Sequence, residues 1–316
     1  MHAVVIANGE LVWTEQPDPV PGDTELCVSV QGAGLNGADL GQRRGVYPAP
    51  PGSPADVPGL EMAGVVVAVG RQVRRFAAGD RVMGLLGGGG QAEIAVVDEA
   101  HALAVPDGVG WEQAGGFPET FCTAFDALFS QAGLASGERL LVTGAAGGVG
   151  TAAVQLGRLA GATVVASVRD PDRRGALRDL GAHEAIDPDS VADHGPYDVV
   201  LELVGAASFP DALAALGVGG RIAVIGIGSG REVTLQLGAV MAKRARISGS
   251  TLRARDRVAK GSVVEAVRRH VLPHLASGAL SVPVCATFTF AEAAAAYDRF
   301  EAGHKLGKVV LVAGQN

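Results

Sequence analysis

The sequence predicts an α/β protein of two domains, one a doubly wound parallel sheet and the other a mostly antiparallel β domain. Three observations carry this reading. The 316 residues suit two domains at roughly 100–200 residues each. From about Pro118 onward, continuous apolar runs alternate with helical patterns, as in a parallel sheet covered on both faces. Before Pro118, short apolar or alternating runs are bounded by Gly, Pro and Asp, which suits antiparallel strands.

In the first part, strands are predicted at Ala3–Ile6, Leu26–Val30, Gly64–Val69 and Ile94–Val97. The run Gly87-Gly88-Gly89-Gly90 cannot be a strand interior and reads as a flexible loop or hairpin tip. In the second part, the strand Leu140–Thr143 precedes a helix at Gly148–Ala160, and Thr163–Ala166 precedes Arg173–Leu180. Val199–Val204 then precedes Pro210–Leu216, and Ile222–Ile225 follows. Val264, Val267, Val271 and Leu275 share one helix face that ends between Pro273 and Gly278. Val282–Phe290 and Val309–Val312 read as strands that return to the first domain. The expected division is therefore residues 1–118 completed by 281–316, and residues 119–280.

Composition excludes several function classes. Apolar residues make up 48% and charged residues 19%, so disorder is excluded as the dominant state. Glycine is abundant, 46 residues, but has no Gly-X-Y period, which excludes collagen. A net charge of −7 argues against a nucleic-acid partner. Cys27, Cys122 and Cys285 are odd in number and far apart, so no disulfide framework or cysteine-rich zinc site is expected. A reduced, cytoplasmic setting is the matching expectation. The first residues lack a basic stretch, so no signal peptide is expected. The long uncharged stretches, Leu140–Gly157 and Val271–Ala291, are broken by Gly and Pro, so no membrane span is expected.

The strongest chemical signal is Thr143-Gly144-Ala145-Ala146-Gly147-Gly148-Val149-Gly150, which follows a strand and opens a helix. It carries the dinucleotide-binding pattern with Ala145 in the first glycine slot, then Gly147 and Gly150. Gly147 lets the backbone approach a pyrophosphate and Gly150 lets the helix pack on the sheet. Ala146, Gly147, Gly148 and Val149 then offer the anion the positive end of the helix dipole. A carboxylate at the end of the second strand suits the ribose of NAD, whereas a 2′-phosphate calls for Arg. The segment Ser167-Val168-Arg169-Asp170-Pro171-Asp172-Arg173-Arg174 favours NADPH over NADH through its arginines, with Asp170 as the dissenting residue.

With both regions read, the chain resembles the medium-chain dehydrogenase/reductase superfamily, in its zinc-free NADPH:quinone oxidoreductase group. The resemblance rests on the run from Gly34 to Pro48, on Pro58-Gly59-Leu60-Glu61-Met62-Ala63-Gly64 and on Pro118-Glu119-Thr120-Phe121-Cys122-Thr123. It continues through the glycine-rich turn, Gly249-Ser250-Thr251-Leu252-Arg253-Ala254-Arg255 and Gly307-Lys308-Val309-Val310-Leu311. It implies a Rossmann domain and a GroES-like catalytic domain. Zinc-dependent relatives place Cys where Asn36 stands and His where Leu60 stands, so no metal is expected here. The His270/His274 pair is interrupted by Pro273 and is not read as a metal site.

Residue roles follow from the resemblance. Asn36 and Thr123 match positions near the nicotinamide and its ribose. Ser167 and Arg173 match positions around the adenosine ribose and 2′-phosphate, whereas Arg169-Asp170 depart from the Gly-Ser that close relatives often carry there, so that Asp170 repels a 2′-phosphate unless Arg169 compensates. Gly226, Ile227 and Gly228 lie where the cofactor passes after the fifth strand, and Leu252, Arg253 and Lys308 line its cleft. The implied activity is hydride transfer from NADPH to a quinone or an α,β-unsaturated carbonyl. Tyr47, with Asn36, is the expected catalytic residue, either as a hydrogen-bond donor to the acceptor oxygen or as an aromatic lid. Two other readings stand beside this one: an enoyl-thioester reductase of the same superfamily, and a non-catalytic NADPH-binding protein. A zinc alcohol dehydrogenase is a third. The run Ala245–Ser250 matches a late strand that pairs across a two-fold axis in relatives, so a homodimer is expected.

Overall fold

The computed structural model describes residues 1–314. Strands β1 (His2–Ala7) and β2 (Glu10–Glu15) form a hairpin. β3 (Glu25–Gly34) leads into α1 (Gly37–Arg43), followed by β4 (Glu61–Val69), β5 (Arg81–Leu85), β6 (Ile94–Asp98) and β7 (Ala102–Ala104). Helices α2 (Trp111–Gly115) and α3 (Pro118–Phe125) come next. The alternating region contains β8 (Arg139–Val142), α4 (Gly148–Leu159), β9 (Thr163–Ser167), α5 (Arg174–Asp179) and β10 (Glu184–Ile186). It continues with β11 (Tyr197–Glu202), α6 (Phe209–Ala214), β12 (Leu216–Val224), α7 (Leu237–Lys243) and β13 (Arg246–Gly249). The remaining elements are α8 (Arg257–His270), α9 (Leu272–Ala276), β14 (Val284–Thr289), α10 (Ala293–Glu301) and β15 (Lys308–Val312). Among the described residues, no helix is long and apolar enough to cross a membrane.

Two compact units divide the chain, one of Met1–Cys122 with the chain from Leu252 onward, the other of Thr123–Thr251. The division expected from sequence carried the second domain to residue 280. In the structure α8 and α9 lie in the first unit, because α8 is fastened to the end of β6. Arg257 pairs with Asp98 at 2.6 Å, and the His101 ring meets the Arg257 carbonyl at 3.0 Å. The apolar face of such a helix carries no signal in its own sequence for which sheet it will cover.

The first unit is organised around β3, whose sheet runs β14-β15-β3-β4-β5-β7, with β6 also on β3. Its pairs are antiparallel apart from β14 and β15, which pair in parallel with α10 as the crossover. The sequence reading of this tail as two returning strands omitted that helix. Inward residues of these strands, among them Leu26, Val28, Val30, Met62, Val66, Val82, Val97, Val309 and Leu311, form one core with Phe290 and Tyr297. Each such side chain contributes roughly 1.5–3 kcal/mol on burial.

The glycine run departs from its reading as a flexible tip. Gly88 and Gly90 are buried, and a Cβ on Gly90 would lie 2.8 Å from the Glu61 carbonyl. The run is glycine because backbone packs on backbone, which composition alone does not distinguish from looseness.

In the second unit the sheet order is β10-β9-β8-β11-β12-β13, and every pair is parallel. This is the doubly wound Rossmann arrangement, which places a ligand crevice beyond the carboxyl ends of the central strands. Leu141, Val165, Val200, Leu216 and Ile222 from the strands pack with Tyr197, Phe209 and Leu213 in one core. The continuous apolar runs reflect burial of both sheet faces.

Replacing Gly90 with Ala is expected to lower unfolding free energy by about 1–3 kcal/mol, because the added methyl meets backbone that cannot rotate away. The urea midpoint measures it.

Candidate active site

In the second unit, the turn after β8 presents backbone rather than side chains. Gly147 is the extended N-cap of α4 and offers no capping side chain. Its own N–H turns back to the Gly144 carbonyl at 3.1 Å, and Thr151 N–H reaches the Gly147 carbonyl at 2.8 Å. The intervening N–H groups of the first helical turn are those an α-helix leaves without an internal partner. Around Gly147 an added Cβ would meet only the Gly144 carbonyl, at 3.5 Å, whereas at Gly150 it would press on Ala145 at 2.6–2.7 Å. Open space over the first and tight packing under the second is the division of labour a bound diphosphate needs. The residues present therefore fit a dinucleotide.

Nearby, the buried Ser167 accepts the Ala145 N–H through its carbonyl at 3.1 Å, tying the end of β9 to the turn. Asp170 caps the short helical turn at Pro171–Arg173, taking the Asp172 N–H at 3.1 Å, and pairs with Arg173 at 3.4 Å. Its charge is thus directed into its own loop. Arg169 is exposed, and no ion pair or hydrogen bond of its side chain is present among the described residues. After β12, Gly226 packs on Leu203, while Ile227 is exposed and Gly228 borders open space. Thr123 is buried in the same unit, at its start.

In the first unit, the expected residues meet in a buried cluster of charges. Lys308, at the head of β15, is 2% exposed, and its ammonium donates to the Leu35 carbonyl at 2.6 Å and to Asn36 Oδ1 at 2.7 Å. Its third partner is Glu61 Oε1 at 2.6 Å, from a carboxylate at the head of β4 that is fully buried. Asn36 Nδ2 donates to the same oxygen at 2.9 Å, and the Glu119 backbone N–H donates to Glu61 Oε2 at 2.9 Å. Asp39, also fully buried, closes the start of α1 by accepting Asn36 N–H at 2.8 Å and Gly59 N–H at 3.0 Å.

Two of these carboxyls are strongly displaced in acidity. Burial pushes Asp39 up to about 6, partly offset by its two backbone hydrogen bonds. Burial, reinforced by the Glu61 charge, pushes Glu119 up to about 7.

Tyr47 lies beside this cluster. Its phenol is raised by burial, and no hydrogen bond of its hydroxyl is present among the described residues. The Arg253 guanidinium stands 5.3 Å from its ring centre and donates to the Tyr47 carbonyl at 3.1 Å. Arg253 also donates to the Gly87 carbonyl at 2.7 Å and to Gln42, and Lys260 donates to the Arg253 carbonyl at 3.0 Å.

Arg253 and Lys308, which the sequence reading assigned to the cofactor, are both almost completely buried and their donors are engaged by protein acceptors. They hold the site's walls. Leu252 is buried next to Arg253. Sequence reasoning gave no role to Asp39, Glu119 or Lys260. A signal existed, since Glu61 and Lys308 are isolated charges heading apolar strands, and such charges are buried only when paired.

A zinc ion does not suit this donor set. Asn36 Oδ1 and Glu61 Oε1 both face the Lys308 ammonium, a cation already in place, and Leu60 offers no donor. Among the described residues, no group of three His, Cys, Asp or Glu side chains could hold a metal.

Comparison with known proteins agrees with this geometry. Residues 22–107 match the alcohol dehydrogenase GroES-like domain family, and residues 148–267 match the zinc-binding dehydrogenase family. A quinone oxidoreductase of Lama guanicoe is 31% identical over 245 residues, covering 74% of this chain and 73% of that protein. The chain belongs to the medium-chain dehydrogenase/reductase superfamily, in its quinone oxidoreductase group. Members bind a nicotinamide cofactor, and the chain is accordingly an oxidoreductase of this superfamily. It is also 41% identical over 220 residues to the polyketide synthase GfsB of Streptomyces halstedii, covering 68% of this chain and 4% of that synthase. The chain thus spans a small fraction of such multienzymes. Among solved structures, a mycobacterial protein complexed with NADPH superimposes with a TM-score of 0.88 at 27% identity, over 99% of this chain and 100% of that one.

The raised carboxyls of this oxidoreductase have a consequence for stability. Where a native carboxyl binds its proton more tightly than the unfolded chain does, stability is full below the unfolded value and falls as pH rises through the folded one. Glu119→Gln removes one such group, so the loss of urea midpoint between about pH 5 and about pH 8 is expected to be smaller in the variant than in the wild type.

Proposed function

We propose that this chain is an NADPH-dependent reductase of quinones or α,β-unsaturated carbonyls that works without zinc. The observation that carries the reading is the Lys308 ammonium, held between Asn36 and Glu61 where a Lewis acid would have to sit. Without a metal to stabilise an alkoxide, reduction of an already electrophilic acceptor is the chemistry left open. Identity to quinone oxidoreductases supports the same direction.

NADPH, when bound, supplies the hydride. The chain's own residues bind and orient. The N–H groups of Ala146, Gly148 and Val149 would hold the diphosphate, Gly147 leaving the approach open, with Gly226, Ile227 and Gly228 lining its path. Ser167 takes the adenosine ribose, and Arg169 with Arg173 takes the 2′-phosphate, Asp170 being directed into its own loop. Thr123, at the start of the second unit, would place the nicotinamide end. Tyr47, with its hydroxyl available, donates a hydrogen bond to the acceptor oxygen as charge develops there. Arg253 and Lys308 act from beneath as positioning residues.

A second reading, an enoyl-thioester reductase, is favoured by the identity to GfsB, which exceeds that to the quinone oxidoreductase. Purified protein is expected to oxidise NADPH with 1,4-benzoquinone or 9,10-phenanthrenequinone faster than with crotonyl-CoA; the reverse order selects the thioester reading, and turnover of none of these removes the reductase reading. Arg169→Ala is expected to raise KM for NADPH about tenfold, a loss of about 1.4 kcal/mol, and to leave KM for NADH unchanged.

We propose further that the chain forms a homodimer through β13. This strand ends the six-stranded sheet with one edge unpaired among the described residues, and Ile247 on it is exposed. Light scattering is expected to give twice the chain mass.

A further inference from the structure

We propose that Glu202 is a positioning residue for the nicotinamide cofactor, a buried carboxylate that holds in register the three loops around the dinucleotide crevice. This rests on the cofactor reading above and adds to it a residue that acts through protein groups rather than on the ligand. Glu202 ends β11, and Thr143 directly follows β8. These strands are neighbours in the sheet, at the point where the strand order reverses and a ligand crevice opens.

The side chain is completely buried, and its bonding is one-sided. Oε1 accepts the Val204 N–H at 2.7 Å, the Gly205 N–H at 2.8 Å, the Ser208 hydroxyl at 2.7 Å and the Thr143 hydroxyl at 3.0 Å. Oε2 is also buried and takes no hydrogen bond among the described residues. A buried carboxylate is costly unless hydrogen bonds fix its charge, and here they converge on a single atom. A neutral amide oxygen accepts more weakly, so Gln matches the shape of Glu202 and not its hold.

The donors tie together different parts of the crevice. Thr143 leads into the glycine-rich turn, and its hydroxyl also accepts the Leu203 N–H at 2.9 Å. A Cβ on Gly144 would lie 3.2 Å from the Val204 side chain, so the turn after β8 rests on the loop after β11. That loop in turn sets the one after β12. The Glu202 carbonyl accepts the Ile225 N–H at 2.9 Å and the Gly226 N–H at 3.0 Å, and the Ser229 N–H reaches the Val204 carbonyl at 2.8 Å. Gly226 packs on Leu203, and a Cβ on Gly205 would lie 2.8 Å from Ile227 Cα. One oxygen therefore aligns the N–H groups at the head of α4 with the segment Gly226–Gly228. Loops fixed before the cofactor arrives spare binding the cost of ordering them.

Hydrogen exchange and NADPH binding, both on the whole chain, test this. Without cofactor, the Val204 and Gly205 N–H groups are expected to exchange about tenfold faster in Glu202→Gln than in the wild type. Well below the melting temperature, the Kd for NADPH, read from its fluorescence, is expected to rise about tenfold in Glu202→Gln. Ser208→Ala removes one donor and leaves the carboxylate in place; its Kd is expected to rise about threefold, which tests the proposal even where Glu202→Gln does not fold. With a quinone, KM for NADPH is expected to rise in parallel while kcat at saturating NADPH changes little, because bound cofactor restores the loops. A role in the fold alone lowers the melting temperature of both variants and leaves the Kd of the folded protein unchanged. That result overturns the proposal, as does tighter binding on loss of the negative charge. Failure of the wild type to bind NADPH or NADH strikes the cofactor reading itself, and this use of Glu202 with it.

Discussion

The ion pair between Lys308 and Glu61 is the contact on which the first unit depends. Burying two charges costs several kcal/mol per ion, and that cost is offset only when every remaining donor and acceptor is satisfied. Here the ammonium has three oxygen partners, and the carboxylate takes hydrogen bonds on both oxygens. These partners come from the end of β3, the head of β4 and the head of β15, so the pair holds three strand termini together. Asn36, one of the partners, begins α1, and the chain beyond α1 carries Tyr47. The placement of the phenol and the integrity of the sheet are therefore one mechanical problem.

The second unit answers a different demand with different means. At its glycine-rich turn the polar groups offered are backbone N–H at the head of α4, and the buried Glu202 carboxylate beside it is taken up by the Thr143 hydroxyl at 3.0 Å and by the Val204 and Gly205 N–H groups. The parallel strand order brings the ends of β8 and β11 to the point where the sheet's winding reverses, and small residues keep that point open. One unit thus works through paired charges in a dry interior, the other through an uncharged backbone dipole. The same contrast appears in Asp170, whose charge is taken up by a local cap and by Arg173 instead of standing outward.

Much of this was legible in the residues. Apolar runs alternating with helical periods located the strands β8, β9 and β11 within a residue or two, because two-sided burial leaves a continuous hydrophobic mark, while β12 begins at Leu216, well before the predicted Ile222. The glycine-rich turn was equally plain, since strand, glycines and helix are contiguous. What escaped were features made by long-range contact. The Gly87–Gly90 run was read as loose because packing of backbone on backbone and exposure to water demand the same residue. α8, which the sequence reading carried with the second domain, falls in the first compact unit, its attachment being made through Arg257 to Asp98, far away in sequence. Arg253 matched a cofactor-lining position, yet its guanidinium turns inward to Gln42, Tyr47 and Gly87. The direction of a long side chain is settled by neighbours that a linear reading does not display.

The interrupted layout of the first unit bears on how the molecule is made. β3 emerges early in synthesis, but its partner β15 lies 274 residues or more further along, beyond the whole of the second unit. The second unit is continuous in the chain and is free to assemble while translation proceeds. Until residues 308–312 leave the ribosome, the β3 edge lacks that neighbour and Glu61 lacks its counter-charge. The first unit therefore completes its sheet only after the whole of the second unit has been synthesised.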